Sequence, residues 1–255
     1  MAPIRGVLLD VDGVLVNYWQ PLPGAADAIS GLRDRGIPFR LVTNTTQYDH
    51  TTLAGMLREG GLDVRDDEVM TATMATASYL KTNHAGARCY LLATGEARRD
   101  LTGIVEVDSD AEVVIMGDAE EGFKFSSLNA AFRMIMDGAT LIAMHRGLFW
   151  MTDEGPSLDV GAFVTGLEAA ARVKAVVTGK PSPAFFEAGL DSLGLPAAEV
   201  LMVGDDVYSD VNAATELGLV GALVRTGKFR PTDLERLELP AHVIDSVADV
   251  PGLIG

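Results

Sequence analysis

Four short segments of the sequence carry residue types that can do chemistry. The first is Leu8-Leu9-Asp10-Val11-Asp12-Gly13-Val14, where two carboxylates one residue apart leave a hydrophobic run. Side chains alternate along an extended strand, so continued alternation would point Asp10 and Asp12 the same way. Two like charges converging there need a cation or a shared proton, and hard carboxylate oxygens suit Mg²⁺. A metal clamp for a nucleotide-sugar uses the same pair, so the pair alone leaves the substrate open.

The second segment is Leu41-Val42-Thr43-Asn44-Thr45-Thr46. A hydroxyl at Thr43, followed by the backbone amides of Asn44 and Thr45 entering a helix, can cradle phosphate oxygens through hydrogen bonds and the helix dipole. An ordinary helix cap has the same composition. The third is Thr178-Gly179-Lys180-Pro181, with Lys180 one of only five lysines. An ammonium fixed between glycine and proline can neutralise both a phosphate and a neighbouring carboxylate. It is not a nucleotide-binding P-loop, because the Gly-x4-Gly-Lys spacing is missing. The fourth is Val203-Gly204-Asp205-Asp206-Val207-Tyr208-Ser209-Asp210. Here Asp205 would add a carboxylate to a cation, Asp210 would reach it through water or cap the next helix, and Asp206 fits either role.

The elements that must position these residues are legible as alternating strand-length apolar runs and helix-period segments, the pattern of a parallel sheet covered by helices. Strands are expected at Val7–Leu9, Phe39–Val42, Val200–Val203 and Ala222–Val224. Helices are expected at Ala25–Arg35, Thr51–Glu59, Pro183–Leu193 and Asp210–Leu217. All four segments then fall at the carboxyl end of a strand or the start of a helix, the edge where open α/β sheets bind ligands. The middle of the chain has its own set, with strands at Cys89–Leu92, Val113–Met116 and Leu141–Ala143 and helices at Ser126–Met136 and Ala162–Arg172. The fold expected is therefore α/β, a Rossmann-like three-layer parallel-sheet core with a smaller α/β domain inserted. The core takes residues 1–75 and 175–255, and the insertion takes residues 76–174.

The 20 basic against 36 acidic side chains give a net charge of −16, which argues against nucleic acid or an anionic membrane surface as partner. The 48% hydrophobic and 22% charged fractions are those of a folded globular protein. Cys89 is the single cysteine, which excludes an intramolecular disulfide and a cysteine metal cluster and fits a reducing, cytoplasmic setting. The apolar run Gly6–Val16 is broken by Asp10 and Asp12, unlike a secretory signal, and no stretch approaches the ~20 apolar residues of a membrane span. His50, His84, His145 and His242 show no metal-ligand spacing. His145, with Arg146, follows a strand of the insertion, where a positive side chain could meet an anionic substrate. Met134 and Met136 read as core filling.

Four signals in this order resemble the haloacid dehalogenase superfamily of phosphotransferases, whose motifs are an Asp-x-Asp-Gly, a Ser or Thr, a Lys, and a Gly-Asp-Asp-type acidic turn. The resemblance covers essentially the whole chain. An insertion between Thr43 and Lys180 resembles the branch with a large α/β cap, which contains NagD-like and nitrophenyl-phosphatase-like enzymes. Within it, Thr43–Thr46, Gly179–Pro183, Gly204–Asp206 and Arg225-Thr226-Gly227-Lys228-Phe229-Arg230-Pro231 are most similar to the phospholysine phosphohistidine inorganic pyrophosphate phosphatase group. Leu158-Asp159-Val160-Gly161 departs from the Gly-x-Gly loop of many members, in a cap loop that in the family faces the leaving group.

The resemblance implies Mg²⁺-dependent hydrolysis of a small phosphorylated compound. Asp10 would be the nucleophile that becomes an aspartyl phosphate and Asp12 the general acid and base. Mg²⁺ would be held by Asp10, Asp205 and the Asp12 backbone carbonyl. Thr43, Asn44, Thr45 and Lys180 would hold the phosphoryl group, with Asp206 and Asp210 around the metal ligands. It also implies homodimerisation through the cap and places Lys228 and Arg230 near the site. A phosphotransferase or mutase with the same aspartyl phosphate, or a receiver-like phosphoacceptor module, remains the alternative.

Overall fold

The structure, a computed structural model, describes residues 3–152 and 155–254. By internal contacts the chain divides into two units. One comprises Met1–Thr43, His50–Met70 and Lys180–Gly255, and the other Asn44–Asp49 and Thr71–Gly179. The second unit therefore reaches a few residues beyond the 76–174 interval at each end and also takes the short segment after Thr43.

The first unit is built on a six-stranded sheet in the order His242–Ile244, Val220–Val224, Val200–Gly204, Gly6–Asp10, Phe39–Thr43, Val69–Thr71. The ladders joining the first five of these are parallel. Every residue of Gly6–Asp10 and of Val200–Gly204 is buried, as continuous apolar runs in a parallel sheet covered on both faces require. Register then fixes the chemistry. Asp10 pairs with Val42, and Leu9 with both Leu41 and Val203, so Asp10, Thr43 and Asp205 leave the sheet at one edge. Gly6–Asp10 lies between Val200–Gly204 and Phe39–Thr43, which is the point where the strand order reverses and where such sheets form a crevice.

Helices pack on this sheet through narrow apolar stripes. Ala25, Ala28, Ile29 and Leu32 are the buried residues of the helix Ala25–Asp34, at the spacing of one helical face. The helix Pro183–Leu193 starts with Ser182 accepting a hydrogen bond from the Ala184 N–H, has proline in its first turn, and stops at left-handed Gly194. Its Phe185 and Phe186 are fully buried, and truncating either to alanine would cost about 3–5 kcal/mol. A Cβ on Gly189 of this helix would lie 3.1 Å from Leu8 Cδ1, so glycine lets the helix approach the strand that ends in Asp10.

The second unit has a five-stranded sheet in the order Val176–Val177, Thr140–Ala143, Val113–Met116, Arg88–Leu92, Val105–Glu106, joined by parallel ladders. The two outer strands have only two residues each, too short to show as apolar runs. Val114, Met116, Leu141 and Ala143 pack against Ala131, Met134 and Ile135 of the helix Phe125–Met136 and against Val160, Val164 and Leu167 of the helix Val160–Ala171. Met136, expected as core filling, is 59% exposed, because it falls off the face that carries Met134 and Ile135. Two further elements do not follow from apolar patterning. The helix Ala72–Asn83 opens at Thr71, whose side chain accepts a hydrogen bond from the Met74 N–H. The antiparallel pair Phe149–Thr152 and Gly155–Leu158 leaves Leu148, Phe149, Trp150 and Leu158 exposed. Among the described residues no helix is long and apolar enough to cross a membrane.

Candidate active site

At the carboxyl edge of the first unit's sheet, Asp10 ends its strand buried, and Lys180 Nζ donates to its Oδ1 at 2.6 Å. The same Nζ lies 2.8 Å from Asp210 Oδ1, and all three residues are at most 6% exposed. Asp205 follows Gly204 directly and is 1% exposed. Oxygens of Asp10, Asp205 and Asp210 all lie within 4.8 Å of one another. Thr43, the last residue of its strand, is also buried at this edge.

The loops are shaped so that backbone can close on Asp205. Gly13 and Gly227 both have positive φ, 80° and 61°, and a Cβ on either would collide with Asp205 Oδ2. That oxygen accepts a 2.7 Å hydrogen bond from the Lys228 N–H, and Thr226 Oγ1 donates to the Gly13 carbonyl at 2.5 Å. Gly204 has no room for a Cβ because the Asp210 side chain occupies it. Asp206 points elsewhere: its Oδ1 accepts the N–H groups of Tyr208 at 2.9 Å and Ser209 at 3.0 Å, which caps the following turn. Its own N–H donates to Asp210 Oδ2 at 3.2 Å.

Three buried carboxylates around one ammonium are short of positive charge. Burial raises Asp10, against the pull of Lys180, with Asp205 and Asp12 adding to the rise. Burial likewise pushes Asp205 and Asp210 up to about 6. For Lys180 burial works against the charge, but Asp10 and Asp210 outweigh it and hold the ammonium above the ordinary lysine range. Asp205 Oδ1 is buried with no hydrogen-bond partner among the described residues. Orphaned acceptor, convergent oxygens and excess negative charge together fit a hard divalent cation such as Mg²⁺. Asp10 and Asp205 would hold it, with Asp210 beside them.

Several sequence expectations change here. The strand ends at Asp10, and Asp12 in the turn beyond it is exposed and is not one of the three clustered carboxylates, although its charge adds to the rise of Asp10. Surrounding protein still desolvates the Asp12 carboxyl and raises it, while Lys180 and Lys228 pull it down. Asp210, read as a cap or a water-mediated ligand, sits in the cluster itself. It does so because the chain over Val207–Asn212 winds as a wide π-type turn before the short α-helix Ala213–Glu216, in place of the single helix Asp210–Leu217. Asn44 and Thr45 continue from Thr43 into the segment that groups with the second unit. Thr226, Gly227 and Lys228, part of the Arg225–Pro231 segment, follow the strand Val220–Val224 at the same sheet edge, and their contacts to Gly13 and Asp205 are what the sequence alone did not show.

Within the second unit, His145 is buried and the Gly147 N–H donates to its Nδ1 at 3.2 Å, which leaves the neutral ring's proton on Nε2. Nε2 faces Thr46 Oγ1 at 3.5 Å and Asp159 Oδ1 at 3.7 Å. Burial lowers His145 and raises Asp159. Arg146 donates two hydrogen bonds, 2.8 Å and 2.7 Å, to the Glu168 carboxylate. The expected positive charge at His145 and Arg146 is thus a neutral imidazole and a guanidinium already paired. His50, His84 and His242 join no cluster of three candidate metal ligands among the described residues.

The chain is similar to known proteins over nearly its whole length. Residues 7–104 match the family described as haloacid dehalogenase-like hydrolase, and residues 177–250 match a second hydrolase family of the same type. The human haloacid dehalogenase-like hydrolase domain-containing protein 2 is 38% identical over 94% of this chain and 91% of its own length. The human phospholysine phosphohistidine inorganic pyrophosphate phosphatase is 34% identical over 100% of this chain and 95% of its own. The solved structure of NagD from E. coli K-12 superimposes with a TM-score of 0.90 at 29% identity, covering 97% of this chain and 98% of that one. The chain belongs to the haloacid dehalogenase-like hydrolase family, in its NagD-like phosphatase branch.

Proposed function

We propose that this protein is a Mg²⁺-dependent phosphatase that hydrolyses a small phosphorylated compound, a phosphomonoester, phosphoamino acid or pyrophosphate, through an aspartyl phosphate on Asp10. The observation that carries this reading is the buried Asp10–Lys180 contact of 2.6 Å at the sheet edge, with Asp205 and Asp210 beside it and Asp12 exposed two residues on. A relative named for phospholysine, phosphohistidine and inorganic pyrophosphate supports the substrate class.

Phosphoryl transfer needs alignment and positive charge more than unusual reactivity. A bound Mg²⁺ supplies positive charge that lets an anionic phosphoryl group approach the Asp10 carboxylate. Lys180 holds Oδ1 of Asp10 in place and keeps Asp210 ionised beside it. An Asp10 oxygen attacks phosphorus, the bond to the leaving oxygen breaks, and Asp12 gives that oxygen a proton. Asp12, now a carboxylate, takes a proton from water. The water oxygen bonds to phosphorus and the bond to Asp10 breaks, which releases inorganic phosphate and restores both carboxyl groups. The Thr43 hydroxyl and Lys180 steady the phosphoryl oxygens meanwhile.

Release of phosphate from p-nitrophenyl phosphate with Mg²⁺ tests the reading. Sustained turnover supports it, one equivalent per chain points to a receiver-like phosphoacceptor, and transfer to a sugar alcohol without net release points to a mutase. Homodimerisation through the second unit belongs to the same proposal and is supported by exposed Leu148, Phe149, Trp150 and Leu158. A monomeric mass in solution would remove it.

A further inference from the structure

Lys180 is not free to serve a second anion. It is 5% exposed and engaged by both Asp10 and Asp210. The other lysine of the site is different in kind. Lys228 follows Gly227, which packs against Gly13, and its own N–H is fixed on Asp205 Oδ2 at 2.7 Å. Thr226 Oγ1 holds the Gly13 carbonyl one residue from Asp12, so the backbone at Lys228 is fastened beside the Asp12–Gly13 turn. The side chain, in contrast, is 69% exposed, and its Nζ is 3.9 Å from Asp206 Oδ2. A fixed backbone with an exposed charged side chain is thereby set beside the turn that carries the acid assigned to the leaving oxygen.

We propose that Lys228 is a specificity-determining residue that binds the non-reacting phosphate of a pyrophosphate-type substrate. The proposal rests on the phosphatase reading above, because it uses Asp12 to mark the leaving-group side. A monoester with an apolar leaving group has one anionic phosphoryl group, which Thr43 and Lys180 serve. A diphosphate has a second anion one bridging oxygen away, and that anion is the leaving group. When the bridging P–O bond breaks, its electron pair stays on the departing phosphate, Asp12 supplies the proton, and the Lys228 ammonium faces the charge. Charge-assisted contacts of this kind are roughly twice as strong as neutral ones.

The experiment compares wild type, Lys228→Met and Lys228→Arg on inorganic pyrophosphate and p-nitrophenyl phosphate with saturating Mg²⁺. Methionine keeps the backbone N–H on Asp205 and removes only the charge. KM for pyrophosphate should rise about tenfold in Lys228→Met and about twofold or less for p-nitrophenyl phosphate, with arginine restoring most of the difference. Calorimetry in an Asp10→Asn background, which cannot turn over, should show the same selective loss for pyrophosphate against inorganic phosphate. Equal losses on both ligands, or a wild type that turns over p-nitrophenyl phosphate but does not bind pyrophosphate, overturns the assignment and leaves the phosphatase reading standing. A wild type that turns over neither substrate overturns both.

Discussion

Lys180 Nζ lies 2.6 Å from Asp10 Oδ1 and 2.8 Å from Asp210 Oδ1, so one buried ammonium holds two buried carboxylates together. Asp205 adds a third within 4.8 Å, and the group is left with excess negative charge. The site is therefore a place where electrostatics opposes folding until more positive charge arrives.

Metal removal should expose this directly. Asp205 and Asp210 have folded-state values near 6, above the ordinary carboxylate value of 3.8. The folded state then binds more protons than the unfolded one between these values, so their favourable contribution is present below about pH 4 and lost as pH rises through about 6. Chelator-treated protein should lose stability over that window, and Mg²⁺ should restore it at neutral pH, by about 2.7 kcal/mol at 100 times its Kd. Thermal melts with and without Mg²⁺ at pH 4, 5, 6 and 7 check this. A Mg²⁺ effect of the same size at every pH would contradict it.

The two adjacent carboxylates of the fourth motif should separate cleanly. Asp205→Asn changes a residue with an orphaned buried oxygen in the cluster, and should raise the Mg²⁺ requirement far more than Asp206→Asn. Asp206 caps the turn after it through the Tyr208 and Ser209 N–H groups, so Asp206→Ala should cost about 1 kcal/mol of stability. Metal titration and chemical denaturation of the variants decide the matter, and a larger metal shift at Asp206 reverses the assignment.

In the second unit, the Arg146 hydrogen bonds hold Glu168 down at about 2, helped by the Ala175 N–H. A depressed carboxylate stabilises above its unfolded value, near 4.5, and the contribution fades as pH falls toward about 2. Arg146→Met should lower stability at pH 7 by about 1.5–3 kcal/mol, the worth of hydrogen bonds to a charged group. The deficit should shrink below pH 4. A deficit that persists unchanged at pH 2.5 would mean that Arg146 stabilises by packing alone.

How much of this was readable beforehand differs element by element. Asp10, Thr43 and Asp205 stood out because buried parallel strands are continuous apolar runs and polar residues at their ends are conspicuous, and Lys180 because it is one of only five lysines and sits between glycine and proline ahead of a helix. Asp210 was underrated because a wide π-type turn is not encoded in local periodicity, and that turn brings it into the cluster. The Lys228 N–H reaches Asp205 across 23 residues of sequence, a contact that no local pattern announces. The helix Ala72–Asn83 is built on small Ala and Thr residues with no bulky apolar stripe, and the exposed Phe149, Trp150 and Leu158 of the antiparallel pair reverse the inside-outside rule. The charge expected at His145 failed for a tertiary reason, since burial favours the neutral ring.

The sharpest prediction divides labour between Asp10 and Asp12, which are alike in chemistry and opposite in setting. Asp10 is 6% exposed and held by Lys180, whereas Asp12 is exposed at the turn with its carboxyl raised by the surrounding protein. Asp10→Asn removes the nucleophile, so no phosphoenzyme should form and turnover should fall to background. Asp12→Asn keeps the nucleophile but loses the acid and base, a contribution typically worth about 10² to 10⁴ in rate. Leaving groups such as p-nitrophenolate need little protonation, so the first step should survive better than the second, in which water loses its base. Asp12→Asn should therefore accumulate a phosphoenzyme that wild type clears, and should lose more activity on alkyl phosphates than on p-nitrophenyl phosphate. Quenching with labelled substrate and locating the modified peptide tests both halves. Label on Asp12, or continued turnover in Asp10→Asn, would sink the mechanism.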